Sequence, residues 1–166
     1  SPAGRDFAIH HSDLHFDYCR TPEDSAPRVA ESKALATALG KRVQVWIPAS
    51  IVCRPTEKEA EDFAQYCVEK ADWEALENQY RLYQAESGSK SRSPEEVARL
   101  RTQDPARTVL GYGGSYSIRG TPDRVAGELK RLHDAGFSGV AMAFVNYLNE
   151  VPYFVQEVGP RLERLG

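Results

Sequence analysis

Residues 43–53 read Val-Gln-Val-Trp-Ile-Pro-Ala-Ser-Ile-Val-Cys, and this stretch decides the fold. Apolar and β-branched side chains occupy odd and even positions alike, as in a strand covered on both faces by the helices of a parallel sheet. Pro48 lacks the N–H that a ladder uses, so a bulge or an irregular turn is expected there. Upstream, residues 22–39 read as a helix. Thr21-Pro22-Glu23-Asp24 supplies its cap, a first-turn proline and first-turn carboxylates. Val29, Ala30, Ala34, Leu35 and Leu39 stand at core-facing positions, and Gly40 ends the run. Before it, Leu14 to Tyr18 reads as a strand and residues 2–11 as a short helix.

Downstream, Thr56 and Glu59 make a capping box for a helix carrying Ala60, Phe63, Ala64 and Cys67. Helical character runs on past Trp73 towards Gln84. The segment Ser-Gly-Ser-Lys-Ser-Arg-Ser at 87–93 predicts a mobile surface loop, and Ser93-Pro94-Glu95-Glu96 the start of another short helix. Residues 107–120, rich in glycine and tyrosine, read as a structured loop with a short extended piece. Thr121-Pro122-Asp123 opens a helix bearing Val125, Leu129 and Leu132 that closes at Gly136. A strand from Gly139 to Val145 follows, then a last amphipathic helix from about Asn149, broken or kinked at Pro160.

Strands separated by helices imply right-handed crossovers and a parallel sheet. The chain opens on a helix with no strand before it, so it is expected to be part of something larger. Its 166 residues fit one ordinary domain, and 24 acids against 21 bases give a net charge of −3. That mild, mixed balance points to neither nucleic acid nor an anionic membrane, and no apolar run has the roughly 20 residues of a span. Cys19, Cys53 and Cys67 show no metal spacing and read as reduced, partly buried thiols of a cytoplasmic protein.

Three segments carry a family resemblance. SPAGRDFAIHHSDLHF (1–16), IVCRPTEKEAEDF (51–63), and the run from Gly111 through Gly120-Thr121-Pro122 to FVNYLNEVPYFVQEVGPRLERLG resemble the luciferase-like flavin-dependent monooxygenases. The nitrilotriacetate, alkanesulfonate and dimethylsulfone monooxygenase branch is the most similar. The resemblance implies an α/β fold that is the C-terminal half of a (β/α)8 TIM barrel: strands six to eight, their flanking helices and a helical or loop insertion at about 70–110, in one partial barrel over 1–166. Such a barrel typically needs about 250 residues. It implies an FMN-dependent, two-component monooxygenase that uses reduced flavin from a separate flavin reductase, with oxygen, on a small organic substrate. The chain alone is expected to be incomplete. The missing N-terminal half of the barrel or a second copy is expected as partner, and self-association with it. A flavin- or partner-binding protein without turnover, or a deazaflavin-dependent oxidoreductase, are the alternative readings.

Helix N-termini in such a barrel point at the ligand, and their free amides suit a phosphate. The helices starting at Thr21, Thr56, Ser93 and Thr121 each place a carboxylate in the first turn, which competes for those amides. Ser1-Pro2-Ala3-Gly4 does not, and Arg5 adds positive charge, so Ser1 and Gly4 are the candidate cofactor-binding residues; the resemblance likewise implies a flavin-phosphate contact at Ser1. Tyr112, Gly113, Gly114 and Tyr116 form a candidate flavin or substrate loop, or a turn with two packing tyrosines. Arg119 is a weaker candidate for an anionic substrate, otherwise a solvated arginine. His10, His11, His15 and His133 read as surface or packing residues, and Trp46 and Trp73 as core. Some members of the family place a histidine and an arginine on strand seven near the substrate; the matching positions here are Pro48 and Ser50. No catalytic residue can be named.

Overall fold

The computed structural model of the chain describes residues 2–86, 102, 104–111 and 115–166. In chain order the elements are α1 (Pro2–His11), β1 (Leu14–Phe16), α2 (Pro22–Ala38), β2 (Gln44–Cys53), α3 (Glu57–Lys70), α4 (Trp73–Glu86), α5 (Pro105–Leu110), β3 (Tyr116–Gly120), α6 (Pro122–Asp134), β4 (Gly139–Ala143), α7 (Tyr147–Glu157) and α8 (Gly159–Leu165). The loop and helix start expected at 87–96 lie outside the described residues. The three expected strands are present in shortened form, and the extended piece within 107–120 is a fourth strand.

All pairing is parallel, and β2 is the hub. β1 pairs with Gln44–Trp46, β3 with Ala49–Cys53 and β4 with Trp46–Ser50. Trp46 has partners in both β1 and β4, and Ala49 and Ser50 in both β3 and β4, so β4 holds one edge while β1 and β3 share the other. This explains why no bulge forms at Pro48, against expectation. Even-numbered residues of β2 direct their backbone groups to the edge shared by β1 and β3: Gln44 N–H donates to Asp13, and the Trp46 carbonyl accepts from Asp17. On that edge Pro48 falls in the gap where β1 has ended and β3 has barely begun. Its missing N–H therefore costs no ladder bond, and its Cα stays in register with Ala141.

Three helix starts follow their local chemistry. Thr21, Thr56 and Thr121 each accept the N–H of the residue three further on, at 3.1, 3.1 and 3.4 Å. The last strand stops at Ala143, earlier than expected, because Asn146 accepts the Asn149 N–H and starts α7 at Tyr147. Pro160 stands in the first turn of α8, where a proline costs no helical bond.

One face of the sheet is covered. Val45, Ile47, Ala49, Ile51 and Cys53 of β2 pack with Val29 of α2, Val125 and Leu132 of α6, and Phe154 of α7. A smaller cluster joins Val52, Ala60, Ala64, Ala106 and Leu110 beside it. The buried stripe of α2 is Pro22, Ser25, Val29, Ser32 and Ala36, not the expected Ala30, Ala34, Leu35 and Leu39. Ser25 and Ser32 tolerate burial because their hydroxyls donate to the carbonyls of Thr21 and Arg28.

The other face of β2 is not covered as the sequence predicts. Gln44 and Pro48 are exposed and Trp46 half-buried, while the register partners Leu14 and Phe16 are 38% and 53% exposed. The outer edges of β1 and β4 pair with no described strand. Among the described residues no helix is long and apolar enough to cross a membrane.

Candidate functional site

The parallel strands stop in a stagger along β2, β1 level with Trp46, β4 with Ser50 and β3 with Cys53, and they all point towards the carboxyl end of the sheet, the end where parallel α/β folds bind ligands. The open face leads to that end. Its floor is apolar: Leu14 and Phe16 of β1, Trp46 and Pro48 of β2, Ala141 of β4. Trp46 is held flat against β4 because position 139 is glycine; a Cβ there would lie 2.4 Å from Cε2 of the indole. Its Nε1–H donates to Gln44 Oε1 at 2.9 Å, and Phe16 meets the ring edge-on at 6.4 Å. Neither Trp46 nor Trp73 is in the core; both are half-buried.

Higher on the same face stands Ser50, only 4% exposed. Its hydroxyl is the one buried side-chain polar atom without a hydrogen-bond partner among the described residues. An unsatisfied buried hydroxyl, where the other buried polar side chains among the described residues have partners, marks a place of functional interest.

The rim beyond β2 is built by residues that the sequence did not single out. Arg54 Nη2 lies 2.6 Å from Glu150 Oε1, the carboxylate side chain being 8% exposed. Glu150 Oε2 also accepts the Asn146 N–H at 2.7 Å, and the Arg54 guanidinium stacks 3.9 Å over Phe63. These contacts fasten the start of α7 to the end of β2. The pair is 96 residues apart in the chain, so no local spacing could announce it. On the opposite side, Arg28 Nε donates to Asp17 Oδ2 at 2.7 Å and fixes the turn after β1. Burial pushes the Cys53 thiol up to about 11. All three cysteines are free, and Cys19 and Cys53 are buried.

Of the residues proposed from sequence, Ser1, Tyr112, Gly113 and Gly114 lie outside the described residues. Gly4 is exposed in the first turn of α1, a turn without acidic side chains. The Arg5 guanidinium is committed elsewhere, 2.9 Å from Glu31 on α2. Tyr116 is half-buried on the helix-covered side of the sheet, packed against the main core, and its hydroxyl donates to Glu128. Burial and then that carboxylate push its pKa well above the usual tyrosine range. The structure does not bring it to the open face, whereas Pro48 and Ser50 both stand there. Arg119 is neither solvated nor free: it pairs with Asp104 at 3.1 Å and Glu61 at 3.5 Å. His10, His11 and His133 are exposed and His15 half-buried; His10 Nδ1 lies 3.6 Å from Asp6.

No family model matches the chain. Two curated proteins called FMNH(2)-dependent dimethylsulfone monooxygenase, from Pseudomonas fluorescens (strain Pf0-1) and Pseudomonas putida, are each 28% identical to it over 166 residues. The alignment takes in 99% of this chain and 45% of each relative, so the chain spans less than half of their length. Among solved structures, DmoA from Hyphomicrobium sulfonivorans shares the fold with a TM-score of 0.76 at 19% identity, over 99% of this chain and 40% of that one. Long-chain alkane monooxygenase (LadA) gives 0.72 at 22% identity, over 99% and 39%. The parallel sheet, its helices and the sequence relatives agree: the chain is a homologue of the luciferase-like, flavin-dependent monooxygenases, corresponding to less than half of a member's length.

Proposed function

We propose that this chain is the strand-six-to-eight portion of a luciferase-like (β/α)8 barrel, working in an FMN-dependent, two-component monooxygenase once a further barrel segment closes it. One observation carries this reading: a parallel sheet with an apolar open face and outer edges that pair with no described strand, in a chain aligned to 45% of its FMNH2-dependent relatives. β1, β2 and β4 lie side by side in the order of strands six, seven and eight. The closing partner is the N-terminal half of the barrel, or failing that a second copy.

The residues fit a flavin on two counts. The first turn of α1 carries no acidic side chain to repel a phosphate, and the apolar floor with one hydroxyl unpartnered among the described residues suits a planar ring edged by few polar groups. FMN, reduced by a separate reductase, supplies the reaction with oxygen. The chain's own residues supply the dry wall: Leu14, Phe16 and Trp46 exclude water, and Gly139 keeps the indole flat. Neither Pro48 nor Ser50 bears a charge, which favours an uncharged organic substrate, sulfones being the first to assay.

The test is to combine the purified chain with the N-terminal half of a dimethylsulfone monooxygenase relative, and to follow FMNH2 binding and sulfone-dependent oxygen consumption. Turnover by the mixture and none by either part is expected. Stable flavin binding without turnover favours the non-enzymatic alternative. Preference for a deazaflavin over FMN favours the deazaflavin oxidoreductases. A monomeric chain that turns over alone overturns the proposal.

A further inference from the structure

A second site lies away from the open face. A cavity of about 300 Å3 opens between β3, α5 and α6, and no open-face residue lines it. Five arginines line it: Arg20, Arg107, Arg119, Arg124 and Arg131. Three are committed. Arg119 holds Asp104 and Glu61, Arg124 holds Glu57 at 2.8 Å, and Arg131 holds Glu23 at 2.6 Å and Glu128 at 2.5 Å.

The two acids of the lining are equally spent. Asp104 Oδ1 accepts the Arg107 backbone N–H at 2.9 Å as well as Arg119. Glu128 accepts the Tyr116 hydroxyl as well as Arg131. The guanidinium groups of Arg20 and Arg107 make no hydrogen bond and no ion pair with any described residue. Each guanidinium carries roughly five N–H donors in a planar fork, and both carboxylates of the lining are engaged by other donors. A cation would enter a lining of five arginines and two carboxylates that are already paired, against the local charge. An anion would enter with it.

We propose that this cavity binds a small phosphate-bearing dianion, a phosphate monoester, through Arg20 and Arg107. The forked donors match the phosphate oxygens in pairs, and two cations balance a dianion. The cavity stands at the small end of ligand pockets, roughly 300–1,000 Å3, which leaves room for a compact organic group beyond the phosphate. The ion pairs of Arg119, Arg124 and Arg131 hold the walls, joining α3, α5, β3 and α6 around it. This site is independent of the flavin reading and stands or falls separately.

The test titrates the protein with inorganic phosphate and with glycerol 3-phosphate, against chloride at matched ionic strength. Side-chain Nε–H resonances of Arg20 and Arg107 report the site, so phosphate bound at the start of α1 is not mistaken for it. Saturable shifts are expected, with affinity falling about tenfold for each of Arg20→Gln and Arg107→Gln, the effect of losing one charge-assisted bond. Arg164→Gln, at the far C-terminus, should change nothing. Neither guanidinium bonds to any described residue, so circular dichroism and Tm should be unaltered; if the double variant unfolds, the exposed Arg20 single variant decides. Three results overturn the proposal: no saturable response beyond chloride, unchanged affinity in R20Q/R107Q, or an oligoglutamate peptide binding the same arginines more tightly than either phosphate.

Discussion

Gly139→Ala asks whether the indole of Trp46 is locked onto the open face by the absence of one methyl group. A Cβ at position 139 would lie 2.4 Å from Cε2 and 2.6 Å from Cδ2 and Cζ2 of that ring. Ordinary carbon contact needs about 3.5 Å, so the ring or the strand must give by about 1 Å. If the ring moves, it gives up the Gln44 hydrogen bond, worth about 0.5–1.5 kcal/mol, and its edge-on contact with Phe16, worth a similar amount. If the strand moves, the β2–β4 register is strained over five residue pairs. Either route costs about 1–3 kcal/mol, the usual range for overpacking. Alanine in a strand is intrinsically favoured over glycine by about 0.5–1 kcal/mol, and Gly139 has no positive φ to defend, so local propensity pushes the other way. A net destabilisation therefore reports the clash. The assay is urea unfolding in a Trp73→Phe background, where fluorescence comes from Trp46 alone, repeated with Trp46→Leu followed by circular dichroism. G139A should lose stability and red-shift the Trp46 emission; in the Trp46→Leu background it should cost nothing. Equal effects in both backgrounds would refute the reasoning.

Three further outcomes are expected. Glu150→Gln leaves the Arg54 guanidinium half-buried without its partner, and should cost about 2–3 kcal/mol in chemical denaturation; the value sits below that of a fully buried pair because Arg54 keeps some solvent contact. Gly120→Ala places a methyl 2.6 Å from Arg124 Cδ and 2.9 Å from Glu57 Oε1 at a φ of +145°, where only glycine is comfortable; Tm should fall by several degrees, as about 1–3 kcal/mol implies. Burial raises the Cys53 thiol from 9.0 to about 11, so its contribution to stability is complete below pH 9 and is lost as the pH climbs through 11. Denaturation midpoints between pH 8 and 11 should therefore decline less steeply in Cys53→Ala, after allowance for its lower starting stability.

What the sequence made legible was chemistry confined to a few neighbouring residues. Thr21, Thr56 and Thr121 cap the helices they precede because the acceptor and the amide are three residues apart. The hub strand was legible for its composition. The behaviour of Pro48 was not, since it depends on where two other strands end along one edge. Nor was the choice of Ser25 and Ser32 over Leu35 and Leu39 as the buried stripe of α2. Hydropathy ranks leucine first, whereas the serine hydroxyls bond to their own helix and need no other partner. Arg119 reads from sequence as a weak anion-binding candidate or a solvated arginine, but Asp104 and Glu61 are brought to it by folding alone. Tyr116 shares a glycine-rich sequence with a candidate flavin loop, yet strand alternation turns it to the helix side.

The remaining disagreement between sequence and structure lies on the open face, and it has one direction. Leu14, Phe16, Trp46 and Pro48 are residues of a dry interior, and the fold leaves them against water. Contiguous apolar surface left against water calls for a covering partner. A helix laid across the face would satisfy the side chains but leave the unpaired edges of β1 and β4 unanswered, and exposed strand edges invite pairing. Further strands continuing the same curved sheet answer both needs at once, because they take up the two edges and fill the interior from the far side. Under the proposed reading, such strands belong to the part of the longer relatives that lies outside the alignment. A covering that hid the face but left both edges bare would break this argument, whatever its chemistry.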